Sequence, residues 1–125
     1  MTRSTITAPD APEPAGPYSH AAHAGAGLLY VSGQTPIDPA SGRLVEGGID
    51  VQTRRVFDNL TSVLTASGRT FADVVKVNVY LTDMDDFAAM NAVYETIFDV
   101  PYPARTTVAV AGLPLGARVE IEFVA

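Results

Sequence analysis

Between Val51 and Ala66 the apolar residues Val56, Phe57, Leu60, Val63 and Leu64 return at the three- and four-residue spacing of one helix face. Asp50 stands where an N-cap would accept a backbone N–H, and Gly68 lies just past the end, where a left-handed residue closes a helix. The period changes to two in "VVKVNVYLT", Val74 to Thr82, with Val75, Val77, Val79 and Leu81 on one face and Lys76, Asn78 and Tyr80 on the other. That alternation predicts a strand buried on one side. A second helix is predicted from about Asp85 to Phe98, because Phe87, Met90, Tyr94, Ile97 and Phe98 form one stripe behind a capping Asp83.

Ahead of these elements, "YSHAAHAG" and "GLLYVSGQ" read as short strands broken at glycines, and the turn "DPASG" leads into a third near Leu44 and Val45. Pro9, Pro12, Pro14 and Pro17 hold the chain extended or turning, so residues 1–15 read as a proline-rich arm of one domain, 1–125. At the far end "ARTTVAVA" and "RVEIEFV" flank the turn "GLPLG" and predict an antiparallel hairpin. The resulting order is βββαβαββ, an α+β pattern. Two helices cover only one face of such a sheet, so the other must meet solvent or another subunit.

Composition narrows the chemistry. With 125 residues, 47% of them hydrophobic and 18% charged, the chain is apolar enough to bury a core. Its formal charge of -6 repels polyanions and argues against a nucleic-acid partner. The absence of cysteine excludes disulfides, thiolate metal sites and a cysteine nucleophile, leaving oxygen and nitrogen groups to act. No apolar run suits a secretory leader or the ~20 residues of a membrane span, so a soluble cytoplasmic protein without a membrane partner is expected. His20 and His23, three apart in a strand, would point to opposite faces, and "DMDD" suits a helix N-terminus, so no metal site is predicted. Neither a Walker loop nor a dinucleotide-binding glycine motif is present.

Arg105 poses the main chemical question, because it opens an otherwise apolar strand after Pro101 and Pro103. Alternation places Glu120 and Glu122 opposite Val119, Ile121 and Phe123, and sets Arg105, Thr107 and Ala109 opposite Val108 and Val110. In the expected hairpin Arg105 then faces Glu120 or Glu122, within ~5 to 8 Å between Cβ atoms. One reading is a cross-strand ion pair worth ~0 to 1 kcal/mol. The other gives the guanidinium fork to a substrate carboxylate and a nearby glutamate to a water. Asn91, between Phe87 and Tyr94 on the apolar stripe, needs a partner, since an unpaired buried amide costs roughly 1 to 3 kcal/mol. A backbone carbonyl or a site edge would serve. Ser32 beside Gly33 fits either a turn cap or a close approach to ligand, and Tyr18 either an edge aromatic or a pocket wall.

The ordered blocks "APEPAGPYSHA", "LLYVSGQTPIDPASG", "QTRRVFDNLTSVLTASG", "VVKVNVYLTDMDDFAAMNAVYETIF", "PYPARTTV" and "LPLGARVEIEFVA" together resemble the RidA family, also called the YjgF or reactive intermediate deaminase family. The resemblance implies a chorismate-mutase-like fold, with a mixed sheet carrying two helices on one face, assembled as a homotrimer with ligand sites between subunits. It implies 2-iminobutanoate/2-iminopropanoate deaminase activity. Enamines and imines released by pyridoxal-phosphate-dependent dehydratases would be hydrolysed to 2-keto acids and ammonia without a cofactor. The family's carboxylate-binding arginine falls on Arg105 and its water-positioning glutamate on Glu120, while its site tyrosine, serine and asparagine match Tyr18, Ser32 and Asn91. Thr107 departs from the cysteine common at that position, which removes any thiol role but leaves a backbone contact to substrate open. Other readings are a pathway-specific deaminase of a larger enamine such as an aminomuconate, or a non-catalytic trimer holding 2-keto acids through Arg105. The family's association with RNA cleavage or translational inhibition is a further one, disfavoured by the charge of -6.

Overall fold

The computed structural model describes residues 2–125. Strands β1 (Thr5–Ile6), β2 (Ala21–His23) and β3 (Leu29–Gln34) precede helix α1 (Ile49–Ala66); β4 (Lys76–Leu81), α2 (Phe87–Ile97), β5 (Ala104–Ala109) and β6 (Val119–Val124) follow. They form one mixed sheet of order β1-β2-β3-β6-β4-β5. β4 and β5 run parallel, and the other neighbours antiparallel.

The two helices keep their predicted faces, with adjusted ends. α1 buries Val56, Phe57, Leu60, Val63 and Leu64, and Gly68 follows it at φ +71. Gly48 rather than Asp50 occupies the N-cap; Asp50 lies in the first turn, where its charge complements the helix dipole. Asp83 does cap, through an Asp85 N–H donated to its Oδ1 at 2.9 Å, but it caps a 3-10 turn over Met84–Asp86, and α2 starts at Phe87.

The order βββαβαββ holds, yet the three leading strands are not the expected three. Thr5–Ile6, within the predicted arm, pairs with Ala21–Ala22. Leu44 makes only an isolated bridge to Ile37. The segment around it lies between Gly42 and the pair Gly47–Gly48, too short to extend a ladder.

The predicted β5–β6 hairpin does not form. β6 inserts between β3 and β4, and β5 pairs with the far side of β4. Two forces decide this. Val119, Ile121 and Phe123 are fully buried, which suits a central strand. The β4–α2–β5 segment also supplies the helical crossover that parallel neighbours require.

Both helices pack on the side of the sheet that carries Val77, Val79, Leu81, Val119, Ile121 and Phe123. Phe57 of α1 stands among four rings there, with centroids 6.0 Å from Phe71, 6.0 Å from Tyr94, 6.1 Å from Phe98 and 6.4 Å from Phe123. Truncating a ring in such a position costs about 3 to 5 kcal/mol. The opposite side bears Lys76, Asn78, Tyr80, Glu120 and Glu122 and, among the described residues, has no helix or second sheet over it, which leaves those polar groups available for chemistry or assembly.

Candidate functional site

Register places Arg105 on the helix side, not on the carboxylate side. It pairs with Val77, which also pairs with Phe123, so all three share a face. Thr106 and Val108 instead pair with Asn78 and Tyr80 and turn outward, leaving Val108 41% exposed. The expected cross-strand pair with Glu120 or Glu122 is therefore absent. As an edge strand, β5 lets the arginine stem lie beside α2 rather than beneath it.

The α2 residues nearest the guanidinium are Asn91, Tyr94 and Phe87. Arg105 donates through Nη1 to Asn91 Oδ1 at 2.7 Å, and its Cζ lies 4.5 Å from the Tyr94 ring centroid and 5.5 Å from that of Phe87. These distances are in the cation–π range, so both rings help to hold the guanidinium. Asn91 in turn donates through Nδ2 to Glu95 Oε1 at 3.2 Å, which orients its amide oxygen toward Arg105. Thus its partners are side chains, not the backbone carbonyl considered above. Among the described residues no carboxylate lies within ion-pair distance of Arg105. A cavity of about 380 Å³ opens there, lined by Asn91, Tyr94, Glu95, Tyr102, Pro103 and Arg105. Burial raises the Tyr94 hydroxyl above its ordinary value, partly offset by Arg105, and that buried hydroxyl has no hydrogen-bond partner among the described residues. Thr107 shares the side of Arg105 but does not line the cavity; its buried Oγ1 also has no partner among the described residues.

Glu120 faces the other way. A second cavity, of about 520 Å³, has Tyr18, Ser32, Gly33, Glu120 and Glu122 in its wall. Gly33 lets the Glu120 carboxyl lie this close: a Cβ there would stand 2.9 Å from Cδ and 3.1 Å from Cγ, so the glutamate side chain would have to shift. Burial, and then the neighbouring Glu122, push the Glu120 carboxyl above the usual glutamate range. Ser32 Oγ donates to Ser19 O at 2.6 Å, leaving lone pairs toward the cavity. Tyr18 accepts the Ala15 N–H at 3.1 Å and remains 48% exposed.

The arm that carries Tyr18 is held by His20. Its Nδ1 accepts the Ala8 N–H at 3.0 Å, so Nε2 bears the proton donated to Pro12 O at 2.8 Å. Both ring nitrogens are thereby committed to backbone, while His23 is exposed.

The site residues inferred from sequence thus fall into two groups on opposite sides of one sheet. Arg105 and Asn91 form the cationic group; Tyr18, Ser32 and Glu120 form the carboxyl group. Sequence reasoning missed Tyr94, Phe87 and Glu95 as neighbours of Arg105, although their offsets from Asn91 of three and four residues put them around it on a helix. It also missed Tyr80, which is opposite Glu120 in the ladder and donates its hydroxyl to Glu122 Oε1.

Comparison with known proteins places this arrangement. The family model described as Endoribonuclease L-PSP matches residues 8–125. A mouse protein named 2-iminobutanoate/2-iminopropanoate deaminase is 44% identical over 100% of this chain and 92% of its own. The crystal structure of RidA from an Antarctic Psychrobacter superposes with a TM-score of 0.92 at 44% identity, covering 98% of both chains. That of the YjgF gene product of E. coli gives 0.90 at 36% identity, covering 98% of this chain and 97% of the other. The match along nearly the whole length, in both sequence and overall fold, shows that this chain belongs to the RidA/YjgF family.

Proposed function

We propose that the protein is a hydrolase that converts 2-iminobutanoate and 2-iminopropanoate, in the cytoplasm, to the corresponding 2-keto acids and ammonia. We further propose that it works as a homotrimer, with each site built from the Arg105 group of one copy and the Glu120 group of the next. The observation that carries the reading is Arg105 itself. It is a guanidinium held by two rings and one neutral amide, with no carboxylate partner among the described residues and a cavity before it. A 2-imino acid supplies that carboxylate next to the reacting carbon.

In this scheme Arg105 binds the substrate carboxylate by parallel hydrogen bonds and draws electron density from the adjacent C=N carbon. Water oxygen bonds to that carbon as the π pair moves to nitrogen. Glu120 carries a proton from the water oxygen to the nitrogen, giving a carbinolamine. A second such transfer, from hydroxyl to nitrogen, lets the C–N bond break with its pair on nitrogen, leaving C=O and NH3. The net change is one imine and one water to one ketone and one ammonia. Proton transfer of this kind contributes typically ~10² to 10⁴ in rate, and Tyr18, Ser32 and Asn91 shape and orient the surroundings.

The test is to add wild type or Arg105→Ala to a serine or threonine dehydratase reaction and follow imine loss and keto-acid release. Acceleration by the wild type, lost in Arg105→Ala with its secondary structure intact, is expected. Equal acceleration by both overturns the role of Arg105. Binding of 2-ketobutyrate without any acceleration would turn the reading to a keto-acid-binding protein.

A further inference from the structure

Glu122 and Tyr80 are left without a task by the scheme above, yet they are hydrogen-bonded to each other on the open face. In the β4–β6 ladder Tyr80 is opposite Glu120 and Asn78 opposite Glu122, so the four side chains form a square on one side of the sheet. Tyr80 donates its hydroxyl to Glu122 Oε1, and Asn78 donates Nδ2 to the same oxygen at 3.3 Å. Glu120, by contrast, accepts no hydrogen bond from the described residues and lies against Gly33 in the cavity that Glu122 also lines. Two carboxyls two residues apart on one strand thus differ in kind: one is fixed by two donors, the other is open to the cavity.

We propose that Glu122, clasped by Tyr80 and Asn78, is a positioning residue that stands as a fixed carboxylate beside Glu120 and makes Glu120 the carboxyl that carries the transferable proton. The inference rests on the deaminase reading for what that proton does, but the pairing itself does not. Like charges in one cavity cannot both ionise freely, so the group lacking donors retains its proton to higher pH. The raised Glu120 carboxyl agrees, with burial as the larger cause and Glu122 as the second. The Tyr80 hydroxyl is pushed up to about 12, first by its bond to Glu122, then by burial and by the charges of Glu122 and Glu120, so it remains a donor across the working range. The other titratable or charged groups on this face are Tyr18 in the same cavity, Arg3 and Tyr30 in the adjoining one, and Lys76, whose Nζ donates to Thr106 Oγ1 at 2.8 Å. Arg105 from a neighbouring copy would add a cation that is the same in every variant below.

The experiment is a carbon-13 NMR titration of carboxyl-labelled glutamate in the intact protein, with the Glu120 signal identified by its loss in Glu120→Gln. Glu122→Gln should move the Glu120 midpoint down toward the ordinary glutamate range, and the acid limb of the turnover profile should follow. Glu122→Asp, which keeps the charge, should preserve most of the upshift. An unchanged midpoint in Glu122→Gln, or equal midpoints in the Gln and Asp variants, overturns the proposal. Circular dichroism shows that each variant is folded. A downshifted midpoint in a protein whose wild type releases no keto acid would overturn the deaminase reading while leaving the carboxyl pair in place.

Discussion

At the scale of single residues, Glu120 carries a stability cost that follows from its place in the site. Burial and Glu122 both disfavour its ionised form, so the folded chain holds a proton there that the unfolded chain has released. Stability therefore falls as pH rises from the ordinary glutamate value, about 4.3, through the raised folded value. Below that window the carboxyl is protonated in both states and makes no difference. Glu120→Gln should consequently melt at a higher temperature than wild type at pH 7, with the gap closing toward about pH 4, while turnover is lost. Thermal denaturation at the two pH values checks this, and a Gln variant no more stable at pH 7 would contradict the placement of Glu120. The same logic explains the choice of arginine at position 105. Its planar fork lies over the Tyr94 ring, with Cζ 4.5 Å from the centroid, and keeps donors in one plane for a carboxylate, which a lysine ammonium cannot do.

At the scale of elements, the close approach of β3 to β6 positions the carboxyl. Gly33→Ala should leave the sheet folded but displace the Glu120 side chain, lowering turnover by about tenfold or more through misplacement alone. Wild-type kinetics from a folded Gly33→Ala protein would show that Glu120 is not held where it acts. The helices, β4 and the buried face of β6 were legible in the sequence because each has a clear period of 3.6 or 2. The pairing of β5 was not. Its alternation is symmetrical between faces, Val108 proved to be outward and Arg105 inward, and a parallel partner reached through α2 leaves no local turn signal. The strand at Thr5–Ile6 was hidden among prolines, since two ladder residues carry too little pattern to read. For the candidate site, the open-face side of Glu120 was legible and the side of Arg105 was not: the register of β5 on β4 turns Arg105 to the helix side and separates it from Glu120.

At the scale of the whole molecule, that separation is the central structural fact. One sheet presents a cation with its cavity on the helix side and a carboxyl with its cavity on the open side, so a substrate that needs both must lie between copies. A closed ring of identical subunits satisfies this for every copy at once, since each gives one group forward and one back. In the proposed ring the polar open face, with Asn78, Tyr80, Glu120 and Glu122 on one side of the β4–β6 ladder, would meet neighbouring chains rather than bulk water. The most direct test mixes two variants, Arg105→Ala and Glu120→Gln, each inactive alone, by unfolding and refolding them together at equal amounts. Shared sites predict that the mixture recovers about a quarter of wild-type imine hydrolysis, the fraction of interfaces that receive both intact groups under random assembly in a closed ring. A mixture as inactive as its components would contradict a site built from two copies.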